Sequence, residues 1–336
     1  MTDVHFQLEL IQWVRIGVLL LCFGGAAWLD HKTRRVSNEW WWTWAKPTLF
    51  LLCLELLILE ANWMIWMTAS AAVAFASTAL IGRPDLSDIL RGSIIDILVT
   101  IWYFVSGVGL VMGAMEYTPI LLDYFDPNTY IDSGAAATVS ALLWGQMVVM
   151  GIVLLFFEMA WRFRMLHGGA DAKAMMLATL LLPSWNGAAF PLYAQGDSFS
   201  TAMPPALSLL IWAGLAFLVL PILMIARNAS AGDLSPFSMS WHASRMPLSE
   251  IPQKHVWLLE EVVDKPDGTR GVTRRMRPVR GSRAETEVEA VLDELAAEGL
   301  DKAWVTAKHP FLLFVFPAIL PLVLFGDPIV WITGYL

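Results

Sequence analysis

The stretch Asp30-His31-Lys32-Thr33-Arg34-Arg35 separates two long apolar runs, at about residues 11–29 and 40–59. Apolar runs of this length are typical of membrane-spanning helices, and a dense cluster of Lys and Arg marks a cytoplasmic loop. The triplet Trp40-Trp41-Trp42 opens the second run and suits the headgroup level of a bilayer, where aromatic residues are enriched. The stretch therefore predicts a cytoplasmic turn between two antiparallel membrane spans.

The composition of the whole chain agrees with a membrane protein. Of its 336 residues 57% are hydrophobic and only 15% are charged, whereas a soluble domain is about 25% charged. Cys22 and Cys53 both lie in apolar runs without the spacing of metal ligands or of a disulfide framework. The sequence therefore indicates a lipid bilayer as partner, and it indicates neither a metal site nor a cofactor.

Six further apolar runs follow along the chain. They lie at about residues 63–81, 92–115, 135–161, 172–182, 206–225 and 311–332. Basic residues fall in every second loop, as the rule for cytoplasmic loops requires. We predict an all-α polytopic protein of the cell membrane with about eight spans and with both termini outside. Arg15 and Glu60, on the first two spans, are placed at similar depth and are expected to form an ion pair.

The polar segment 228–308 interrupts this pattern and holds half of the 22 Lys and Arg residues. The runs 255–263 and 269–277 flank Lys265-Pro266-Asp267-Gly268, which favours a β-hairpin. Ser282 and Glu285 fit a capping box at the start of a helix that ends at Gly299. We therefore predict three parts: a transmembrane catalytic domain over 1–227, a small cytoplasmic α+β insert over 228–308, and a last transmembrane helix over 309–336.

A second polar stretch, Gly168-Gly169-Ala170-Asp171-Ala172-Lys173, lies between the fifth and sixth predicted spans. Span counting places Asp171 at the same cytoplasmic face as Asp30. Two carboxylates held close share a proton near neutral pH, and the ionised one can activate a water. Gly168 and Gly169 permit a sharp break between spans, which turns Asp171 toward water.

Both stretches resemble motifs of the archaeal preflagellin and type IV prepilin peptidases, which are membrane aspartyl proteases. Residues 168–173 are similar to the family's GxGD-x-K motif, with Ala170 in place of its second glycine, and the stretch from Asp30 to Asn38 is similar to its first aspartate motif. The resemblance implies that Asp30 and Asp171 form the catalytic pair and that Gly168, Gly169, Ala170 and Lys173 belong to the site loop or contact substrate. It also implies an archaellin or type IV pilin precursor with a short basic class III-type leader as substrate, cut at the cytoplasmic face.

Two other functions fit parts of the sequence. Acids within spans are used by transporters that carry protons or cations, although no internal repeat of spans is visible. A non-catalytic assembly factor organised around the insert is the other alternative. A second explanation accounts for the position of Lys173: basic residues are enriched in cytoplasmic loops, and this enrichment requires no role in the site. The basic residues from Arg270 to Arg283 are expected on a solvated hairpin face, so no nucleic-acid partner is indicated, and the sequence defines no oligomeric state.

Overall fold

The chain forms mainly helices, which make up 70% of the structure. A computed structural model describes residues 2–83, 85–129, 132–166, 168–185, 190–193, 203–264, 270–279 and 281–333. Two units can be distinguished, Gly214–Pro310 and the remainder, Met1–Ala213 with Phe311–Leu336. The predicted insert, 228–308, falls within the first of these ranges.

The helices of the described residues include long apolar ones and short polar ones. In chain order they are Thr2–Thr33 (α1), Asn38–Ile58 (α2), Trp63–Ile81 (α3), Leu86–Leu90 (α4), Ile94–Phe125 (α5), Ala136–Arg162 (α6), Gly169–Leu181 (α7), Pro205–Phe217 (α8), Val219–Ala231 (α9), Phe237–Ser240 (α10), Arg283–Thr286 (α11), Val288–Ala297 (α12), Leu312–Phe325 (α13) and Pro328–Thr333 (α14). The strands are Ser244–Pro247 (β1), Val256–Leu258 (β2), Glu260–Asp264 (β3), Arg270–Arg274 (β4) and Lys302–Ala307 (β5).

Within the described residues, five helical segments are long and apolar enough to cross a membrane. They are Val4–Thr33, Trp63–Ile81, Ile94–Phe125, Ala136–Arg162 and Pro205–Ala231. The predicted count of eight spans is not confirmed. The second predicted span is α2, whose tryptophans, Lys46 and Glu55 lower its hydropathy. The sixth and eighth correspond to α7, with 13 residues, and α13, with 14. Both are shorter than the roughly 17 residues that a perpendicular helical span needs.

Close helix packing builds the core of the larger unit. Helix α1 packs against α2 and α13, α3 packs against α5 and α6, and α7 packs against α2 and α6. At Gly109 in α5 an added Cβ would lie 2.2 Å from the Cβ of Met67 in α3, so only glycine permits this approach. Small residues at contacts between helices are typical of membrane proteins.

A buried ion pair joins α1 to α2, but it is not the predicted one. Arg15 Nη2 lies 2.7 Å from Glu55 Oε2, and Arg15 also donates to the carbonyl of Leu51 at 3.4 Å. The predicted partner, Glu60, is exposed beyond the end of α2 and has a φ of +49°. Counted from the turn between α1 and α2, Glu55 rather than Glu60 lies at the depth of Arg15.

The described part of the smaller unit contains two sheets and the helices α9 to α12. Strand β5 lies between β1 and β2, with antiparallel pairing to both, and β3 pairs with β4 from Glu260↔Arg274 to Asp264↔Arg270. The predicted hairpin is therefore present, whereas its turn at residues 265–268 lies outside the described residues. Helix α12 packs Val291, Leu292 and Leu295 against the sheet residues in a separate apolar core.

The predicted capping box is present only in part. Ser282 occupies the N-cap position of α11, but its side chain makes no capping hydrogen bond, while Glu285 Oε2 accepts from the N–H of Gly281 at 2.6 Å. The helix breaks at Glu287 before α12 begins. The predicted end at Gly299 is correct, and its φ of +82° explains the glycine.

Candidate active site

Asp30 lies in the last turn of α1, where the helix meets the basic stretch. Its carbonyl accepts from the N–H of Arg34 at 3.0 Å, and Arg34 has a φ of +58°. This residue reverses the chain toward Ser37, the N-cap of α2, whose hydroxyl accepts from the N–H of Trp40. The turn leaves the Asp30 side chain half-buried, with the positive charge of Arg34 near enough to interact with it.

Asp171 lies in the first turn of α7, three residues after the N-cap Gly168. Its backbone N–H donates to the Gly168 carbonyl at 3.1 Å, and its carboxylate accepts from the Gly168 N–H. The second bond is the acidic half of a capping box. The N-terminal end of α7 also favours a negative charge here. The local structure therefore fixes the position of the half-buried carboxylate.

Gly168 is needed because the carboxylate lies so close to it. A Cβ at this position would lie 2.6 Å from Asp171 Oδ2, so any larger residue displaces the carboxylate. The φ of Gly168 is −105°, which other residues also adopt. Gly169 and Ala170 form the first turn of α7, where alanine is well suited to helix. The alanine that replaces the motif's second glycine thus meets no conformational demand that it cannot satisfy.

The fold brings the two predicted aspartates together from positions far apart in the chain. Helices α1 and α7 contact each other. Burial and, after it, the negative charge of Asp30 together raise the pKa of the Asp171 carboxyl to about 7, and the hydrogen bond from the Gly168 N–H opposes the rise. A carboxyl with this pKa is partly protonated near neutral pH, and its titration belongs to the pair.

Lys173 connects the two motif stretches directly. Its Nζ donates to Asn38 Oδ1 at 2.7 Å, across 135 residues of sequence. The side chain of Lys173 therefore reaches the start of α2 and holds the turn after α1 beside the first turn of α7. All the predicted site residues, Asp30, Gly168, Gly169, Ala170, Asp171 and Lys173, lie in or next to these two turns.

Two neighbours of the pair were not identified from the sequence as site residues. Asn38 receives the hydrogen bond from Lys173, and Arg34 lies near Asp30. Both belong to the stretch after Asp30, but residue type alone does not separate Arg34 from the exposed Lys32 and Arg35 beside it. For Asn38, the sequence offered one signal: it is a polar residue directly after Ser37, the N-cap of α2.

The apolar helices indicate a membrane protein, in which Asp30 and Asp171 lie on two contacting helices. Residues 235–328 match the family model described as Archaeal Peptidase A24 C-terminus Type II. This match supports the archaeal prepilin/preflagellin peptidase family, which confirms the resemblance seen in the motifs. The matched residues do not include Asp30 or Asp171. A comparison with curated proteins finds no match.

Proposed function

We propose that this protein is an aspartyl endopeptidase that removes the short basic leader from archaellin or type IV pilin precursors at the cytoplasmic face of the membrane. The observation that carries the proposal is that the contacting helices α1 and α7 bring Asp30 and Asp171, 141 residues apart in sequence, close enough for the charge of one to act on the other. The family match at residues 235–328 supports a peptidase of this type. The apolar helices support a membrane location.

In the proposed reaction the pair carries one proton. The ionised carboxylate takes a proton from a water as its oxygen attacks the carbonyl carbon of the scissile peptide bond. The protonated carboxyl donates a hydrogen bond to the carbonyl oxygen, which becomes negative in the tetrahedral intermediate. The C–N bond then breaks, and a proton from the pair passes to the leaving amine. The products are the leader with a new carboxylate and the mature chain with a new amino terminus.

The proposal is tested by cleavage with purified components. The protein in lipid vesicles is mixed with a synthetic precursor that has a basic leader followed by an apolar helix, and the products are sized by mass spectrometry. We expect one cut between leader and helix, which persists with inhibitors of serine, cysteine and metallopeptidases present. An intact precursor after prolonged incubation with folded protein rules the proposal out.

Activity is expected to fall as the pH rises through about 7. Burial and the charge of Asp30 raise the pKa of Asp171 to about 7, so above this pH the pair loses the proton that polarises the carbonyl. The measurement is kcat/KM for the precursor between pH 5 and pH 9, where the apparent pKa belongs to the pair. A profile that stays level up to pH 9 contradicts a shared proton.

The Lys173–Asn38 hydrogen bond is expected to position the two aspartates. Lys173→Met and Asn38→Ala each remove it, and we expect kcat/KM to fall about tenfold in either variant, in line with a hydrogen bond to a charged group. Since both changes break the same bond, the double variant should lose little more than either single one. Lys46→Met, which changes an exposed lysine on α2, is the matched control. If kcat/KM in the double variant falls by the product of the two single losses, Lys173 and Asn38 do not act through the same hydrogen bond.

A further inference from the structure

A mainly apolar groove lies between α3 and α5. Ala71, Ala74, Phe75 and Thr78 line it from α3, and Tyr103 and Gly107 line it from α5. Residues at these spacings share one face of a helix, so the groove follows α3 for about two turns, or roughly 10 Å. Its volume of about 370 Å³ lies within the range of about 300–1,000 Å³ that is common for ligand pockets.

The surface around this groove is suited to lipid. Both α3 and α5 are long and apolar enough to cross a membrane. On α5 the large side chains of Ile101, Phe104 and Val108 are exposed next to the groove residues. An exposed apolar face of this kind marks contact with a membrane or with another protein. On a helix that can span a bilayer, acyl chains therefore have direct access to the groove.

The hydroxyl groups beside the groove already have partners within the protein. Ser77 Oγ donates to the Ala74 carbonyl at 2.7 Å, so the 3.0 Å hydrogen bond between Ser77 and Tyr103 uses the proton of Tyr103. Thr78 Oγ1 donates to the Phe75 carbonyl at 2.8 Å. An occupant of the groove therefore need not accept a hydrogen bond from these groups, and methylene groups suit it.

One end of the groove carries positive charge. Arg83, which follows α3, also lines the groove, and its side chain is 58% exposed. Its Nη2 lies 3.5 Å from Glu158 Oε1, but the same oxygen accepts from Arg162 Nε at 2.8 Å. Among the described residues, two guanidinium groups thus share this one carboxylate. Because both contact the same oxygen atom, they lie close enough together for one phosphate to contact both.

We propose that the groove binds an anionic phospholipid. Part of one acyl chain lies along α3 from Thr78 to Ala71, and the phosphate contacts Arg83 and Arg162, since guanidinium groups bind phosphate with strong, charge-assisted hydrogen bonds. An anionic headgroup is preferred over a zwitterionic one, because the cation of a zwitterionic headgroup adds positive charge to a cluster that already has an excess. Basic pockets between membrane spans bind anionic headgroups in this way.

A lipid cross-linking experiment tests this proposal and needs no catalysis. Two probes carry the same photoreactive acyl chain, one on phosphatidylglycerol and one on phosphatidylcholine, and each is added in trace amount to phosphatidylcholine vesicles that contain the protein. Labelled peptides are identified by mass spectrometry. We expect the phosphatidylglycerol probe to label residues 71–78 about tenfold more than the other probe does, in line with hydrogen bonds to a charged group. Ile152, exposed on α6, should be labelled equally by both.

Arg83→Gln tests the contact with the headgroup. It removes the charge at the end of the groove, so the preference for the phosphatidylglycerol probe at residues 71–78 should fall about tenfold, to near one. Arg164→Gln is the matched control, because Arg164 is also exposed and follows Arg162 by two residues but does not line the groove. This control variant should keep the wild-type preference.

Gly107→Leu tests the contact with the acyl chain. An added Cβ at Gly107 meets no atom within 4 Å, so leucine fits there and fills the groove. We expect the phosphatidylglycerol label at residues 71–78 to fall about tenfold, in line with loss of one buried apolar group of leucine size. Gly17→Leu, at a half-buried glycine of α1 whose added Cβ also meets no atom within 4 Å, should leave the label unchanged.

Three results would overturn the proposal. Equal labelling of residues 71–78 by the two probes shows that the groove does not distinguish headgroups. A wild-type preference in folded Arg83→Gln protein shows that the phosphate does not lie at Arg83. If neither probe labels residues 71–78 while both label Ile152, lipid does not occupy the groove, and cross-links between two copies of the chain would then assign it to a contact between copies.

Discussion

Asp171→Asn is expected to lower the cleavage rate by about a hundredfold to ten-thousandfold, the range that general acid–base catalysis contributes. Asn keeps the size of the side chain and can still accept the hydrogen bond from the Gly168 N–H, but it neither takes up nor releases a proton. Asp30→Asn should have an effect of the same size, since each carboxylate depends on the other. The measurement is kcat for the synthetic precursor in single-turnover conditions.

Asp96→Asn is the matched control for this pair of variants. Asp96 is also a half-buried aspartate in the first turn of a helix, α5, where it accepts a hydrogen bond from Ser93. We expect it to cleave at close to the wild-type rate. A folded Asp30→Asn or Asp171→Asn protein that keeps the wild-type rate would falsify the catalytic pair.

Asp171→Asn is also expected to change the pH dependence of stability in a defined direction. The folded-state pKa of Asp171, about 7, lies above the ordinary aspartate value of about 4. Ionisation of Asp171 therefore costs the folded protein stability as the pH rises from about 4 to about 7. Asp171→Asn should raise the unfolding midpoint at pH 8 relative to wild type and should not raise it at pH 4. A lower midpoint at pH 8 contradicts burial next to a second negative charge.

Counting spans predicted only that Asp30 and Asp171 lie at the same face, because an even number of crossings returns the chain to it. That the two aspartates come close together was predicted from the resemblance of both stretches to the peptidase motifs. The structure supplies what counting cannot provide. Asp171 is held by the N–H of Gly168, and Lys173 reaches Asn38 across the site. These contacts depend on how α2 and α7 are rotated about their axes, which the apolar pattern leaves open.

The role of the glycines was likewise predicted only in part from the sequence. Sequence reasoning assigned Gly168 and Gly169 to a sharp break in the chain. Among the described residues between α6 and α7, the one with a positive φ is Arg164, at +59°. Gly168 is instead required by the nearby carboxylate, and Gly169 tolerates a Cβ at 3.8 Å from Trp161. A steric reason of this kind is invisible until the side chain beside the glycine has been placed.

The Arg15–Glu55 pair is expected to dominate the stability of the helix pair α1–α2. Glu55→Ala leaves the guanidinium of Arg15, which is 0% exposed, without its counter-ion, and removal of one partner of a buried pair costs about 3–5 kcal/mol. We expect a corresponding fall in the free energy of unfolding, measured by chemical denaturation in detergent micelles. The variant should unfold at a markedly lower denaturant concentration than wild type.

Two further variants decide whether the cost comes from the unpaired charge. The double variant Arg15→Leu/Glu55→Leu removes both charges and fills the space with apolar atoms, so it should be near wild-type stability, as buried pairs replaced by apolar residues often are. Glu60→Ala changes an exposed acid at the end of the same helix and should shift the unfolding free energy by less than about 0.5 kcal/mol. Since Arg15 contacts Glu55 and not Glu60, equal losses from Glu55→Ala and Glu60→Ala would contradict the observed pairing. A double variant as unstable as Glu55→Ala would show instead that the side-chain shapes, and not the charges, hold α1 against α2.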